Sequence, residues 1–423
     1  MFTLPRLSTL TLVLASITLT ACSGEAGSAW QGSVHDSSGI KIVNNLGPPL
    51  WTETDRWTFS EVLKIGVVEG APEYMFGQVK GIGVLSDGRI VVNDGMAQHL
   101  RFFYPDGKFE KTVGGPGSGP GEFGPGGLNI LVGPGDTLLV VDQANQRANR
   151  IAPDGKWLDS WRLTPQDGWL VYGWDDAPTG RLVTHMTRVP GMQRSEADTF
   201  DLIVVRHLDG TTGDTLTSVP GSRVRQYSGG RMAFYLYAGE PAVSLCPDNS
   251  LLAGRGDRYE IRRYDSVGEL EQVIRLDPQS PPITESDQTF LRQRFKEIYL
   301  EGGFTSEQIQ DLLSAMHFTE TYPAFVTLRC GPRGSIWVQP VKPVSLLSAE
   351  EKAEFWVGPD AEAAAHFDVF DHDGKYLGVV KQPPGFWLGE FHGDYAYGRW
   401  ADSLDVEHLM VLELDGLPAL DRQ

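Results

Sequence analysis

Short apolar runs recur along most of this chain, each closed by a turn rich in Gly, Pro, Asp or Asn. Residues 81–114, GIGVLSDGRIVVNDGMAQHLRFFYPDGKFEKTVG, show the unit. An apolar run leads into a Ser-Asp-Gly turn, a second run ends in Asp94, and a polar loop, a third run, a Pro-Asp-Gly turn and a fourth run follow. Residues 127–163, GLNILVGPGDTLLVVDQANQRANRIAPDGKWLDSWRL, repeat the order. Runs of this length with period-two alternation predict strands, and the Asp-Gly pairs between them predict hairpins.

Looser copies occupy the rest of the chain. Residues 201–219 are the second half of a third unit, 241–276 a fourth, and 324–340 with 366–380 a fifth. Residues 386–414 supply three strands of a sixth. The missing strand is predicted at the other end, in WTFSEVLKIG (57–66), which is comparable to the fourth run of the first unit. The expected fold is therefore all-β: a six-bladed β-propeller of four-stranded blades, its ring closed by an N-terminal strand so that no sheet edge in the ring stays open. The glycine-rich stretch GGPGSGPGEFGPGG (114–127) contains a G-x-G-x-x-G match. A dinucleotide site would need a helix after it. Pro125, Gly126 and Gly127 follow instead, and then an apolar strand. The stretch is predicted to be a crossing between blades, with Phe123 wedged between them, and GVVEGAPEYMFGQV (66–79) is a weaker copy.

Strand order then sorts the loops by face. The tight Asp-Gly turns fall on one face. The long segments 187–199, 221–240, 277–322 and 341–365 all fall on the other, and loops of that length in a compact domain are usually functional. Within 277–322, Thr284-Glu285-Ser286-Asp287 and Thr305-Ser306-Glu307-Gln308 each open like a capping box. They predict a helical hairpin, about residues 283–317, inserted between blades 4 and 5. Leu291, Phe295, Ile298 and Tyr299 form the stripe expected to pack it down.

The first residues carry a different pattern. Leu7–Leu19 is apolar but too short for a membrane span, follows a single positive charge at Arg6, and reads as a secretory signal. Leu19-Thr20-Ala21-Cys22 resembles the bacterial lipobox, in which the cysteine is lipidated and becomes the first mature residue. The expected organisation is a lipoprotein signal peptide over 1–21, a flexible tether over 22–38 carrying lipid on Cys22, and one propeller over 39–423. Ser23 after the cysteine implies the outer membrane, facing the periplasm. Net charge is −19, from 36 basic and 55 acidic residues, which speaks against a nucleic-acid partner. The chain is expected to be a monomer.

The GPGEF segment, the run Val140, Val141, Asp142, Asn145, Arg147 and the recurrent Pro-Asp-Gly turns resemble NHL repeats. The chain from about residue 38 to 415 is similar to exported six-bladed propeller lipoproteins of bacteria, in the superfamily of NHL-repeat and TolB-like propellers. The resemblance implies fold far more than function. Two functions stay open, beside a third reading as a structural adaptor in a larger envelope assembly. One is a cell-envelope propeller that binds a small ligand or an envelope protein through its loop-rich face. The other is an enzyme at the mouth of the central channel, since some NHL-type propellers are metal-dependent lyases or lactone and ester hydrolases. Candidate ligand contacts are the interleaved Arg223, Arg225, Tyr227, Arg231 and Tyr235, with Arg255, Trp337 and Arg399 from strands near the channel. Asp94, Asp142 and His185, at the ends of second strands, are the candidate ligands for Ca²⁺ or Zn²⁺. The same aspartates also suit a plain role as caps of their own turns. No catalytic nucleophile is legible, there being no G-x-S-x-G. Cys246 and Cys330 end equivalent first strands of consecutive blades, and either pair in a disulfide or stay as two buried thiols.

Overall fold

The computed structural model describes residues 29–126, 128–163, 169–176, 181–188, 200–221, 225–228, 231–277, 280–355 and 364–417. Residues 1–21, expected to be a signal peptide, and Cys22 lie outside them. The architecture is a six-bladed propeller of four-stranded antiparallel blades. With strands a to d counted from the inside, blade 1 is Val79–Val84, Ile90–Asp94, His99–Phe103 and Phe109–Val113. Blade 2 runs from Asn129–Val132 to Trp157–Arg162, and blade 3 from Trp169–Asp176 to Thr212–Pro220. Blade 4 spans Pro241–Leu245 to Leu270–Leu276, and blade 5 spans Phe325–Cys330 to Tyr376–Lys381. Blade 6 has Phe386–His392, Tyr395–Ala401 and Glu407–Asp415, and its outer strand is Thr58–Ile65 from the N-terminal end, with Val411 opposite Leu63.

Inter-blade cores explain why the apolar runs alternate. Each sheet sends one set of side chains toward the blade before it and the other toward the blade after. Phe123, fully buried, packs between Leu85, Leu100 and Phe102 of blade 1 and Leu138, Val140 and Ile151 of blade 2. Phe76, the corresponding residue of the weaker copy, fills the seam of blades 6 and 1 beside Val92, Phe103 and Leu409. Removing a side chain of this size from water contributes about 1.5–3 kcal/mol.

Two features depart from the expected organisation. Residues 32–37, assigned to the flexible tether, form a strand instead. Gly32–Ser37 pairs with Ile40–Asn45, which adds in parallel to the outer strand of blade 4, Val43 opposite Ile274. Its apolar residues explain the attachment: Val43 is fully buried, and Ile42 nearly so. Asn45 fixes the end of the hairpin, donating to the carbonyls of Arg275 and Gly374 and accepting from Trp30 Nε1 at 2.8 Å.

The second departure is on the loop-rich face. The segment after blade 3, expected as loop, contains the strands Arg225–Ser228 and Arg231–Leu236. The latter pairs in parallel with Met316–Phe318 of the insertion after blade 4. That insertion carries α1 (Glu285–Glu301) and α2 (Ser306–Ser314), each opened by a complete capping box. Leu291 and Ile298 of the α1 stripe are buried, whereas Phe295 and Tyr299 stack on each other at 4.2 Å and are only half-buried. The segment after strand b of blade 5 adds α3 (Ala349–Glu354). Tyr237, Leu291, Tyr322, Val344, Leu347 and Phe355 form one satellite core, so three of the four long segments build a single cap. Residues 189–199, most of the fourth, lie outside the described residues. Among the described residues, no helix is long and apolar enough to cross a membrane.

Candidate functional site

The first strands of the blades surround a central channel. A cavity of about 580 Å³ inside it draws lining from all six blades. Toward the face of tight turns it carries Asp136, Asp175, Glu390 and His392. Asp136 accepts from the Ser86 amide at 2.9 Å and the Ser86 hydroxyl at 2.7 Å, and Asp175 accepts from the Leu245 amide at 2.7 Å. Burial holds the His392 imidazole below its usual range, while the nearby Asp136 charge pulls the other way.

Two smaller cavities join the same space. One, of about 310 Å³, opens toward the loop-rich face between blades 5, 6 and 1, with Lys80, Arg329, Arg399, Gln339, Gln382 and Trp387 in its wall. The other, of about 210 Å³, lies against blades 3 to 5 and is lined by Asp175, His185, Thr327 and Arg329 among apolar residues. Arg329, half-buried, is common to all three cavities. Among the described residues no carboxylate pairs with it; its Nη1 donates to the Leu328 carbonyl at 3.3 Å. Val326, next to two of these cavities, also packs against the satellite core, so the cap stands directly beside the loop-rich mouth.

Several expected site residues turn out to hold the fold. Asp94, fully buried, accepts from the amides of Gly77, Gln78, Met96 and Ala97 and faces Arg101 at 3.3 Å. Asp142 accepts from the Gly124 amide at 3.1 Å and from both the amide and the side chain of Asn145. These aspartates bind the end of one strand to the Phe-Gly step of the preceding crossing. Gly124 is required there, because a Cβ would lie 2.6 Å from that of Ala144. Their lone pairs are spent on amides. His185 sits on blade 3, its Nε2 2.9 Å from Asp201 Oδ2. The structure does not bring Asp94, Asp142 and His185 together, and among the described residues no three His, Cys, Asp or Glu side chains converge for a metal ion.

The ligand contacts divide similarly. Trp337 is a correction: it is fully buried against Trp57, Phe59, Phe367 and Phe391, its Nε1 donating to Ser335, and cannot meet a ligand. Arg255 is held by Asp257 and the Gly221 carbonyl and lines none of the three cavities. Tyr235 stacks on His317 at 5.1 Å within the cap. Arg223 lies outside the described residues; Arg225, Tyr227 and Arg231 sit on the strands of the cap sheet, and their side chains are outside the description. Arg399 does line the loop-rich cavity, over the Trp387 ring at 4.1 Å and paired with Glu407 at 2.8 Å. Cys246 and Cys330 are joined by a disulfide across the inner strands of blades 4 and 5.

Lys80, Asp136, Asp175, Arg329, Glu390 and His392 were missed. A readable signal existed for most of them: FVTLRC, FWLGEFH and the end of WLVYGWDD place ionisable groups in innermost strands, where the axis is the nearest water.

No protein-family model and no curated protein sequence matches the chain. Similar solved structures are propellers. A Bacteroides fragilis protein whose name describes it as exported aligns with a TM-score of 0.50 at 14% identity, over 88% of this chain and 99% of that one. Virginiamycin B lyase from Staphylococcus aureus aligns with a TM-score of 0.43 at 12% identity, over 85% of this chain and 99% of that one. A Xanthomonas campestris gluconolactonase aligns with a TM-score of 0.38 at 11% identity, over 78% of this chain and 83% of that one. These likenesses speak to fold alone.

Proposed function

We propose that the chain is an exported, lipid-anchored propeller of the bacterial cell envelope that binds a small ligand in its central channel. The observation that carries this reading is the channel wall, where all six blades contribute to one cavity and ionisable side chains interrupt otherwise apolar inner strands. Convergent polar groups in a concave, pre-formed space are what ligand sites are made of. The Cys246–Cys330 disulfide supports an oxidising compartment. Anchoring rests on the Leu19–Cys22 motif, and Cys22→Ala should release the protein from the membrane fraction. The cap beside the loop-rich mouth offers an envelope protein a surface to read the liganded state.

The test is a thermal-shift screen of the mature chain against small polar metabolites, run in parallel on Thr327→Trp, which places bulk in the channel. Stabilising compounds whose effect vanishes in the variant support the reading. Compounds that stabilise both forms equally sink it.

A second reading, catalysis, is favoured by one observation. His185 sits at the cavity wall with a carboxylate, Asp201, on its ring nitrogen, an arrangement that orients an imidazole for general-base work. Hydrolysis of lactones or esters by the wild type, lost in His185→Ala, is its measurement.

A further inference from the structure

The channel carries charges of both signs, and Arg329 faces the acidic cavity as well as the loop-rich one. Its acids, Asp136, Asp175 and Glu390, belong to the end near the tight turns. The cavity at the loop-rich end has Lys80, Arg329 and Arg399 in its wall and, among the described residues, no carboxylate. Behind it, Glu407 engages Arg399 Nη1 at 2.8 Å and the Val79 amide at 2.5 Å. Lys80 is exposed, and among the described residues neither it nor Arg329 pairs with an acid. Such a cluster is unexpected by chance in a chain of net charge −19. A half-buried guanidinium without an acid partner, Arg329, leaves a favourable potential for an anion, strengthened by the low-dielectric walls of the channel.

We propose that this cavity is an anion subsite that takes the carboxylate of a small organic acid, anchored by Arg329 and Arg399 with Lys80 at the rim. The proposal rests on the channel-binding reading and gives it a ligand class. Guanidinium groups match a carboxylate with two parallel hydrogen bonds. The Gln339 and Gln382 amides and the Trp387 and Phe367 rings also line the cavity and suit a body that is part polar, part apolar. Its volume, about 310 Å³, is at the small end for ligand pockets. The cavity opens on the loop-rich face, so the ligand enters from that mouth, past the cap.

Crystals of the mature chain soaked in bromide, and titration calorimetry with phenylacetate, phenylacetamide and inorganic phosphate, test this. Bromide should occupy the cavity beside Arg329, and phenylacetate should bind with its carboxylate there and its amide analogue at least about tenfold more weakly. Arg329→Met should weaken phenylacetate about 10- to 100-fold, with Arg329→Lys recovering part of the loss. Lys80→Gln, on an exposed side chain, should cost a few-fold without altering the fold. An empty cavity in bromide with phenylacetamide bound as tightly as phenylacetate overturns the anion subsite and leaves the channel reading standing. Absence of bromide and of both aromatic probes from the whole channel overturns both. Phosphate binding more tightly than phenylacetate overturns the assignment to a carboxylate.

Discussion

Between blades 1 and 2 the chain crosses in a few glycine-rich residues; between blades 4 and 5 it leaves the ring for residues 277–324 before it returns. At the first seam the connection itself does the packing. Phe123 fills the gap, and Asp142 ties the crossing to the next blade through the Gly124 amide. At the second seam the connection is spent on α1, α2 and the cap, so other groups hold the blades together. The Cys246–Cys330 disulfide joins the inner strands. Farther out, Tyr259 of blade 4 donates to Asp368 of blade 5 at 2.7 Å, and Tyr376 donates to the same carboxylate at 2.8 Å. At the rim the 32–45 hairpin reaches over, with Asn45 on the Gly374 carbonyl and Lys41 on Asp373. A long excursion weakens the coupling that chain connectivity supplies, and cross-links restore it at the seam beside which the channel's Arg329 stands.

The largest effects should come from the short crossing, where each contact has no substitute. Asp142→Ala leaves the Gly124 and Asn145 backbone amides without their acceptor, and should cost about 3–5 kcal/mol in urea unfolding. Chelator treatment of the wild type should leave the same midpoint unchanged. A loss with chelator that matches the Asp142→Ala loss would restore the metal reading of Asp94 and Asp142. Phe123→Ala should cost about 3–5 kcal/mol by opening a cavity between two blades. The double variant Cys246→Ser, Cys330→Ser should cost about 2–4 kcal/mol. Hydrogen exchange should then rise at Pro241–Leu245 and Phe325–Cys330 while blades 1 and 2 stay protected. Uniform loss of protection would mean the seams are not separate.

The same contrast separates what was legible in the sequence from what was not. Blades 1 and 2 are nearly ideal copies, so period, turn residues and the role of Phe123 could all be read from residues 66–163. The helices of the insertion announced themselves through Thr284 and Thr305, whose caps are local chemistry. The cap sheet was not readable, because Phe234 and Met316 pair across a whole blade of intervening sequence. The strand at residues 32–37 was hidden by its Gly, Ser and Asp, since it is exposed throughout and held by its partner rather than by burial. For the site, strand ends drew attention to Asp94 and Asp142, whose oxygens are consumed by amides. Arg329 passed unnoticed, because FVTLRC places it in an innermost strand but does not tell which of its side chains face the channel.

The smallest effect tests whether the second seam is held by charge or by hydrogen bonds. Asp368 is buried, and burial pushes its carboxyl above the usual range, against the two tyrosine donors and the nearby His366, which pull it down. A carboxyl raised in the folded state binds its proton more tightly there than in the unfolded chain. Its contribution to stability is therefore complete below about pH 4, the ordinary carboxylate value, and is lost as pH rises through the folded value. Asp368→Asn does not titrate. Urea midpoints of the two proteins, measured from acid to neutral pH, should move in favour of the asparagine variant as pH rises. The opposite trend, with the wild type gaining, would mean that the Tyr259 and Tyr376 hydroxyls outweigh burial and that the seam is held by an ionised carboxylate.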